Sequence, residues 1–125
     1  MNKNIIIFLF AGLFSFFIEH QTKSGCKETF KTILISLLHN YGSIYLVFGS
    51  ILFGYYLFHL LTLIITVILW KVYSTCFVTK YYNDLCKISP DRPFHDIFFL
   101  INKQLKIPYF RHLLAFIVCL YNIKK

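Results

Sequence analysis

Acidic residues are scarce in this chain: it has five Asp and Glu among 125 residues, and none lies between Lys31 and Lys71. The sequence also lacks a Gly-rich phosphate loop and a G-x-S-x-G nucleophile elbow. No C-x-x-C pair of the kind used by zinc and thioredoxin-like sites occurs. Most enzyme classes are therefore unsupported, and we predict a protein without catalytic residues, a cofactor or a small-molecule substrate.

Charge of either sign is low as well. Charged residues make up 14% of the chain and hydrophobic residues 58%, whereas soluble domains average about 25% and about 45–50%. A soluble domain of this size leaves much of its surface in water, and this composition does not supply the polar side chains for such a surface. We therefore predict an integral membrane protein whose main partner is the lipid bilayer.

The net charge of +8 comes from 13 basic residues that are spread along the chain and mostly flank apolar segments. Nucleic-acid binders usually concentrate Lys and Arg on one face, so we predict no nucleic-acid partner. At membrane-flanking positions, anionic headgroups attract each basic residue by about 1 kcal/mol. The excess of Lys over Arg, with abundant Phe, Ile, Tyr and Asn, resembles proteins of AT-rich genomes such as those of large DNA viruses.

Residues 5–18 form an apolar run preceded by Lys3, the layout of a secretory signal peptide. Glu19 and His20 follow directly, where a cleavage site would have small residues. We therefore favour an uncleaved, signal-anchor-like helix over a signal peptide that is removed, and the sequence leaves both open. Fourteen helical residues span only about 21 Å, so this helix needs polar flanks or local thinning of the bilayer.

Residues 32–70 contain no Asp, Glu, Lys or Arg, and an uncharged stretch of this length predicts membrane crossing. Trp70 and Lys71 stand at its end as interface anchors. Two arrangements fit. In the first, residues 27–41 form an amphipathic surface helix that a turn at residues 40–43 connects to one long transmembrane helix. In the second, two short helices form a hairpin that turns near residues 49–54.

Two criteria favour different arrangements. Hydropathy favours the single transmembrane helix, because a hairpin would place His39 and Asn40 within lipid. The positive-inside rule favours the hairpin, because the hairpin puts the basic residues of both flanks on one side. These residues are Lys23, Lys27, Lys31, Lys71, Lys80, Lys87 and Arg92. The sequence alone leaves both arrangements open.

The second half of the chain is divided by prolines. We predict a polar loop over residues 71–92, an amphipathic helix over 93–106 that begins at Pro93, and a short apolar helix over 109–123. The whole chain, 1–125, then forms a single membrane domain. Its predicted fold class is all-α, with three to four apolar helices plus an amphipathic helix.

Cysteines and histidines supply the remaining candidate site. Cys76 and Cys86 share the polar segment, where they would form a disulfide in an oxidising lumen; on the cytoplasmic side they would stay reduced, with Cys76 a candidate for palmitoylation. Cys119 is expected to be a small apolar residue in a helix. The adjacent pair His95-Asp96 is a weaker candidate dyad, because neighbouring helical residues point in different directions.

His39 and His59 lie in the uncharged stretch, where polar groups are costly and often functional. In a hairpin they could approach each other and bind a metal or relay a proton, although no carboxylate lies between Lys31 and Lys71 to assist them. The alternative is that each histidine hydrogen-bonds to a neighbouring helix. Ser50 and Gly54 form a small-x-x-x-small pair that would let helices approach closely.

The order His59-Leu60, Trp70, Cys76-Phe77-Val78-Thr79 and a late Asn122 resembles a family of small four-helix bacterial membrane proteins of unknown function. That family has His-Leu at a helix start and Cys-Pro-Leu-Thr after the helix. Here Phe77 and Val78 replace Pro and Leu, and the acid that follows the Thr is missing. The resemblance covers about residues 38–122. It implies the hairpin arrangement and brings no activity with it.

We therefore expect a small integral membrane protein with a non-catalytic structural or interaction role, whose partners are lipids and possible partner helices. The alternative hypothesis is a membrane-bound redox or metal-handling protein that uses His39, His59, Cys76 and Cys86.

Overall fold

The computed structural model describes residues 2–22, 26–74, 76–88, 104–106 and 110–123. Five named helices account for most of these residues, and the described ranges contain no β-strand. The helices are α1 (Lys3–Thr22), α2 (Phe30–Phe53), α3 (Tyr56–Tyr73), α4 (Phe77–Leu85) and α5 (Phe110–Ile123). The predicted all-α class is confirmed. The helices α1, α2 and α3 are long and apolar enough to cross a membrane, and α5 contains a shorter apolar stretch, Leu113–Ile123.

The uncharged stretch forms two helices that are separated at Gly54 and Tyr55. Gly54 has φ +72°, in the left-handed region that favours glycine. Its backbone N–H donates to the Ser50 carbonyl oxygen at 3.2 Å and so closes the last turn of α2. The structure therefore has the two-helix arrangement. The structure does not contain the single long transmembrane helix or the turn at residues 40–43, because α2 continues unbroken through that region to Phe53.

The start of α2 is fixed by a capping box. The Thr29 hydroxyl accepts a hydrogen bond from the Thr32 backbone N–H at 3.3 Å, and the Thr32 hydroxyl accepts one from the Thr29 backbone N–H at 2.9 Å. These bonds satisfy donors that a helix start leaves without partners. The helix therefore begins at Phe30, inside the segment that we assigned to a surface helix over residues 27–41.

Helix α1 runs antiparallel to α2. Near one end, the Asn4 side-chain amide donates to the Leu52 carbonyl oxygen at 2.9 Å. Near the middle, the Tyr41 hydroxyl donates to the Leu9 carbonyl oxygen at 3.2 Å. Gly12 lets the two helices approach there, because a Cβ at this position would lie 2.1 Å from a carbon of the Tyr41 ring.

We expect Gly12→Leu to lower the free energy of unfolding by about 1–3 kcal/mol, the usual cost of overpacking. The measurement is unfolding in mixed detergent micelles, followed by circular dichroism. Adding Tyr41→Ala should restore part of the loss, since it removes the ring that the new side chain meets. Gly42→Leu is the matched control, because a Cβ at Gly42 meets no atom within 4 Å. Equal losses at Gly12 and Gly42 would contradict the proposed close approach.

The segment predicted as a polar loop over 71–92 contains α4, which is a correction. Helix α3 continues to Tyr73 and ends at Ser74, whose φ is +57°. After a short connection, α4 turns Thr79 and Tyr82 inward and leaves Lys80 exposed. The sequence did not predict α4, because the segment is polar as a whole and this polarity hid the periodic burial of its nine residues.

Helix α5 packs against α2 and α3. Its Ala115 and Cys119 are fully buried with Leu63 of α3, and partly buried Leu46 and Leu60 complete this contact. The short apolar helix predicted over 109–123 corresponds to α5. The amphipathic helix predicted over 93–106 lies outside the described residues, apart from 104–106.

Candidate functional site

Buried polar side chains meet where α1, α2 and α4 pack together. We call this group the polar cluster, and it consists of Ser15, Glu19, Ser36, His39, Asn40 and Thr79. Glu19 is 3% exposed and Asn40 is 2% exposed. Burying such groups away from water is costly unless they find partners, so the pattern of their hydrogen bonds decides what the cluster can do.

Asn40 stands at the centre of the polar cluster. Its side-chain nitrogen donates to the Glu19 carboxylate of α1 and to the Ser36 carbonyl oxygen one turn earlier, the latter at 2.9 Å. Its side-chain oxygen accepts from the Ser15 hydroxyl. Asn40 therefore joins two positions on α1 that lie four residues apart, and it uses both ends of its amide to do so.

His39 connects the carboxylate to α4. Its Nδ1 lies 3.8 Å from Glu19 Oε2, and its Nε2 lies 3.3 Å from the Thr79 hydroxyl oxygen. The sequence predicted no carboxylate near the histidines, because none occurs within residues 32–70. The structure supplies Glu19 from α1, which lies outside that interval.

Two small cavities adjoin the polar cluster. One, of about 10 Å³, is lined by Glu19, Ser36, His39 and Tyr82, among others, and is about the size of a single water. The other, of about 40 Å³, is also lined by Ser36 and Tyr82, and further by Cys26. The cluster therefore lies close to the pocket beside the disulfide described below.

Tyr82 of α4 lines both cavities. Burial raises the pKa of its hydroxyl, and the negative charges of Glu19 and Glu28 raise that pKa further. Glu28 also pairs with His20, whose Nε2 lies 2.9 Å from Glu28 Oε1. The neutral phenol therefore persists at physiological pH, and a neutral hydroxyl is the form that can donate a hydrogen bond into the cluster.

A disulfide joins Cys26 to Cys86, with Cα atoms 5.2 Å apart and a sequence separation of 60. The Cys76–Cys86 disulfide, which we considered for a segment in an oxidising lumen, is therefore not formed. Helix α4 lies between those two residues and separates them by about 15 Å, well beyond the Cα distance of about 7 Å that a disulfide can bridge. The disulfide instead ties the segment before α2 to the end of α4.

His59 is fully buried, away from the polar cluster. Its Nε2 lies 2.9 Å from the Leu46 carbonyl oxygen, and its ring centroid lies 5.3 Å from that of Tyr45. We considered a hydrogen bond to a neighbouring helix as the alternative to metal binding, and His59 makes such a bond from α3 to α2. His39, about two turns earlier along α2, instead bonds to Thr79 of α4 and lies near Glu19 of α1.

The four residues of the metal hypothesis are not brought together. His39 and Cys76 share the lining of one groove, whereas His59 lies deeper in the α2–α3 contact and the Cys86 sulfur is in the disulfide. Across the ranges that the structure describes, no group of three or more His, Cys, Asp or Glu is placed to hold a metal ion. The pair His95-Asp96 lies outside the described residues.

Glu19 and Asn40 were not predicted as site residues. Glu19 was expected only as a residue that follows the apolar run, and Asn40 as part of a turn or as a group in lipid. A signal was present in the spacing: Ser15 and Glu19 lie four residues apart on one helical face, and Ser36 and Asn40 do the same. Two such pairs on neighbouring apolar helices indicate mutual hydrogen bonding.

The chain was also compared with known proteins. No protein-family model matches it, and no curated protein and no solved structure shows significant similarity to it.

Proposed function

We propose that this chain is a multi-pass integral membrane protein with a non-catalytic structural or interaction role, in which α1, α2 and α3 cross the bilayer. The proposal rests on one observation: large apolar side chains face outward and polar side chains face inward. Large apolar residues such as Phe10, Phe14 and Leu57 are exposed, Leu57 to 81%, while the polar cluster faces inward. Water disfavours this arrangement, and hydrocarbon favours it.

The polar cluster supports a structural role. Within a membrane, helices gain little from burying apolar side chains against each other, because lipid is equally apolar, so hydrogen bonds and close packing hold them together. Asn40 and Glu19 supply a hydrogen bond between α2 and α1, His39 and Thr79 supply one between α2 and α4, and Gly12 supplies the close packing. The cluster thus attaches α1, only 11% of whose apolar window is buried, to α2.

An interaction role is supported by α1 and α3. In each, only 11% of the apolar window is buried inside the protein. The exposed faces, which include Phe17 on α1 and Leu61 on α3, are open to lipid or to helices of a partner. The redox or metal-handling alternative is less well supported, because Cys86 is used by the disulfide.

The disulfide also bears on orientation. We propose that the end with Cys26 and Cys86 faces an oxidising compartment, since disulfides persist there and are rare in the cytoplasm. A helix with the layout of α1, basic at Lys3 and then apolar, inserts with its basic end in the cytoplasm. The positive-inside rule favours the opposite orientation, because Lys27 and Lys31 lie at the disulfide end. That rule describes a statistical bias, whereas a reducing cytoplasm acts directly on the disulfide.

Cysteine accessibility in sealed vesicles tests the proposal. Ser74→Cys, at the disulfide end, should react with a membrane-impermeant maleimide only from the lumenal side. Tyr55→Cys, between α2 and α3, should react only from the cytoplasmic side. Both variants carry Cys76→Ser and Cys119→Ala, so that the introduced thiol is the one that reacts.

Labelling of both sites from one side would contradict the hairpin that crosses the bilayer. Labelling of Ser74→Cys from the cytoplasmic side and of Tyr55→Cys from the lumenal side would contradict only the orientation. Extraction of the protein by alkaline carbonate would contradict membrane insertion altogether.

A further inference from the structure

A groove of about 170 Å³ lies between α2, α3 and α4, beside the polar cluster. Its lining is mainly apolar and includes Leu46, Leu69, Trp70, Phe77 and Val78. His39 and Ser43 contribute polar atoms to it. Because α2 and α3 are two of the three helices that are proposed to cross the bilayer, a groove between them is open to the hydrocarbon chains of lipids.

Gly42 keeps one wall of the groove open. It lies among the lining residues, and a Cβ built on it would meet no atom within 4 Å. A larger residue would fit there without moving the backbone, so packing does not require glycine at this position. The open space is therefore available to a ligand.

Two lysines, Lys71 and Lys80, lie next to residues that line the groove. The Lys80 ammonium lies 5.2 Å from the centroid of the Tyr73 ring, and that ring packs at 5.4 Å against Phe77, which lines the groove. Lys71 directly follows Trp70, another lining residue. Both lysines are exposed. Asp84, one turn beyond Lys80, is the only acid of α4.

We propose that the groove binds one acyl chain of an anionic phospholipid, whose phosphate is held at Lys71 and Lys80. This proposal rests on membrane insertion, as proposed above. Charge complementarity selects the ligand: an apolar slot that is lined by an interfacial Trp and has two exposed lysines beside it fits a lipid with a negative headgroup. A neutral detergent would gain from the slot but not from the lysines.

Native mass spectrometry tests the proposal with protein released from nanodiscs that contain equal amounts of phosphatidylglycerol and phosphatidylcholine. The wild type is expected to retain one phospholipid and to prefer phosphatidylglycerol to phosphatidylcholine by at least about tenfold. Gly42→Leu fills the slot and should lose the retained lipid. Leu61→Phe adds bulk at an exposed site of α3 outside the groove and should retain it.

The double variant Lys71→Gln, Lys80→Gln separates the headgroup from the chain. It should still retain a phospholipid but show no preference between the two kinds. Lys3→Gln is the control. It removes a lysine at the start of α1, which does not line the groove, and should keep the preference for phosphatidylglycerol. A preference that persists in the double variant would overturn the assignment of the phosphate to these lysines.

A photoreactive leucine analogue in place of Leu69, which lines the groove, identifies the occupant without filling the slot. Cross-linking to phosphatidylglycerol supports the proposal, whereas cross-linking to residues 93–106 of the same chain, or to a second copy, would overturn it. Resistance to alkaline carbonate is measured for every variant. Extraction of the wild type would defeat the proposed function, whereas retention in the membrane without bound lipid would defeat the lipid site alone.

Discussion

Replacement of Glu19 by Ala is expected to lower the free energy of unfolding by about 3 kcal/mol, the upper end of the cost of leaving a buried polar group without its hydrogen-bond partner. The Glu19 carboxylate accepts a hydrogen bond from Asn40 and lies 3.8 Å from His39 Nδ1. The substitution leaves the Asn40 side-chain amide buried without that acceptor and removes the carboxylate beside His39. The loss of their partner, rather than the loss of one bond, accounts for the size of the effect.

The measurement is unfolding in mixed micelles, followed by the fluorescence of Trp70, the only tryptophan in the chain. Glu28→Ala is the matched control: this acid is 60% exposed in its pair with His20, and exposed pairs contribute about 0–1 kcal/mol. If the two substitutions cost the same, the polar cluster does not hold α1 to α2.

Glu19→Gln separates hydrogen bonding from charge. The Gln side chain keeps an acceptor for Asn40 but carries no charge for His39. A small loss in Glu19→Gln would assign most of the stabilisation to the bond with Asn40. A loss as large as that of Glu19→Ala would assign it to the histidine.

Composition and periodicity predicted the helical class and the apolar character of the long helices, because both depend on residues that are close in sequence. The break between α2 and α3 is also a local feature. Gly54 takes a left-handed conformation that favours glycine, and it lies at the end of the range where the hairpin was expected to turn. Hydropathy argued against the hairpin because it treated His39 and Asn40 as groups in lipid. In the structure, both are buried against α1 and α4.

The polar cluster and the disulfide depend on contacts between distant parts of the chain. Glu19 stands at the boundary of an apolar run, where a charged residue is ordinarily a solvated flank, and its burial becomes visible only when α1 is placed against α2. The partner of Cys86 could not be chosen by spacing either. Cys76 is nearer in sequence, but α4 holds it apart, and Cys26 is brought close by packing of α4 on α2. No local pattern encodes that packing.

Loss of the disulfide is expected to be the other large effect. Cys26→Ser should lower the free energy of unfolding by up to about 4 kcal/mol, the chain-entropy value for a loop with a separation of 60. In the proposed membrane-inserted state the bilayer already restricts the unfolded chain, so this value is an upper bound. Cys86→Ser should cost the same as Cys26→Ser, and the double substitution should cost no more than either one, because one bond is lost in all three. Cys76→Ser is the control and should leave stability unchanged within about 0.5 kcal/mol.

The consequences should reach the polar cluster, because the disulfide holds the end of α4 near the start of α2 and Thr79 of α4 contacts His39. Without the disulfide, α4 can move away from α2, so the cost of Glu19→Ala measured in the Cys26→Ser background should be smaller than in the wild type. Alkylation of the denatured, unreduced protein checks the pairing itself. Two of the four cysteines, Cys76 and Cys119, should be labelled before reduction and all four after it. Labelling of Cys26 before reduction would contradict the disulfide and, with it, the oxidising orientation of that end of the bundle.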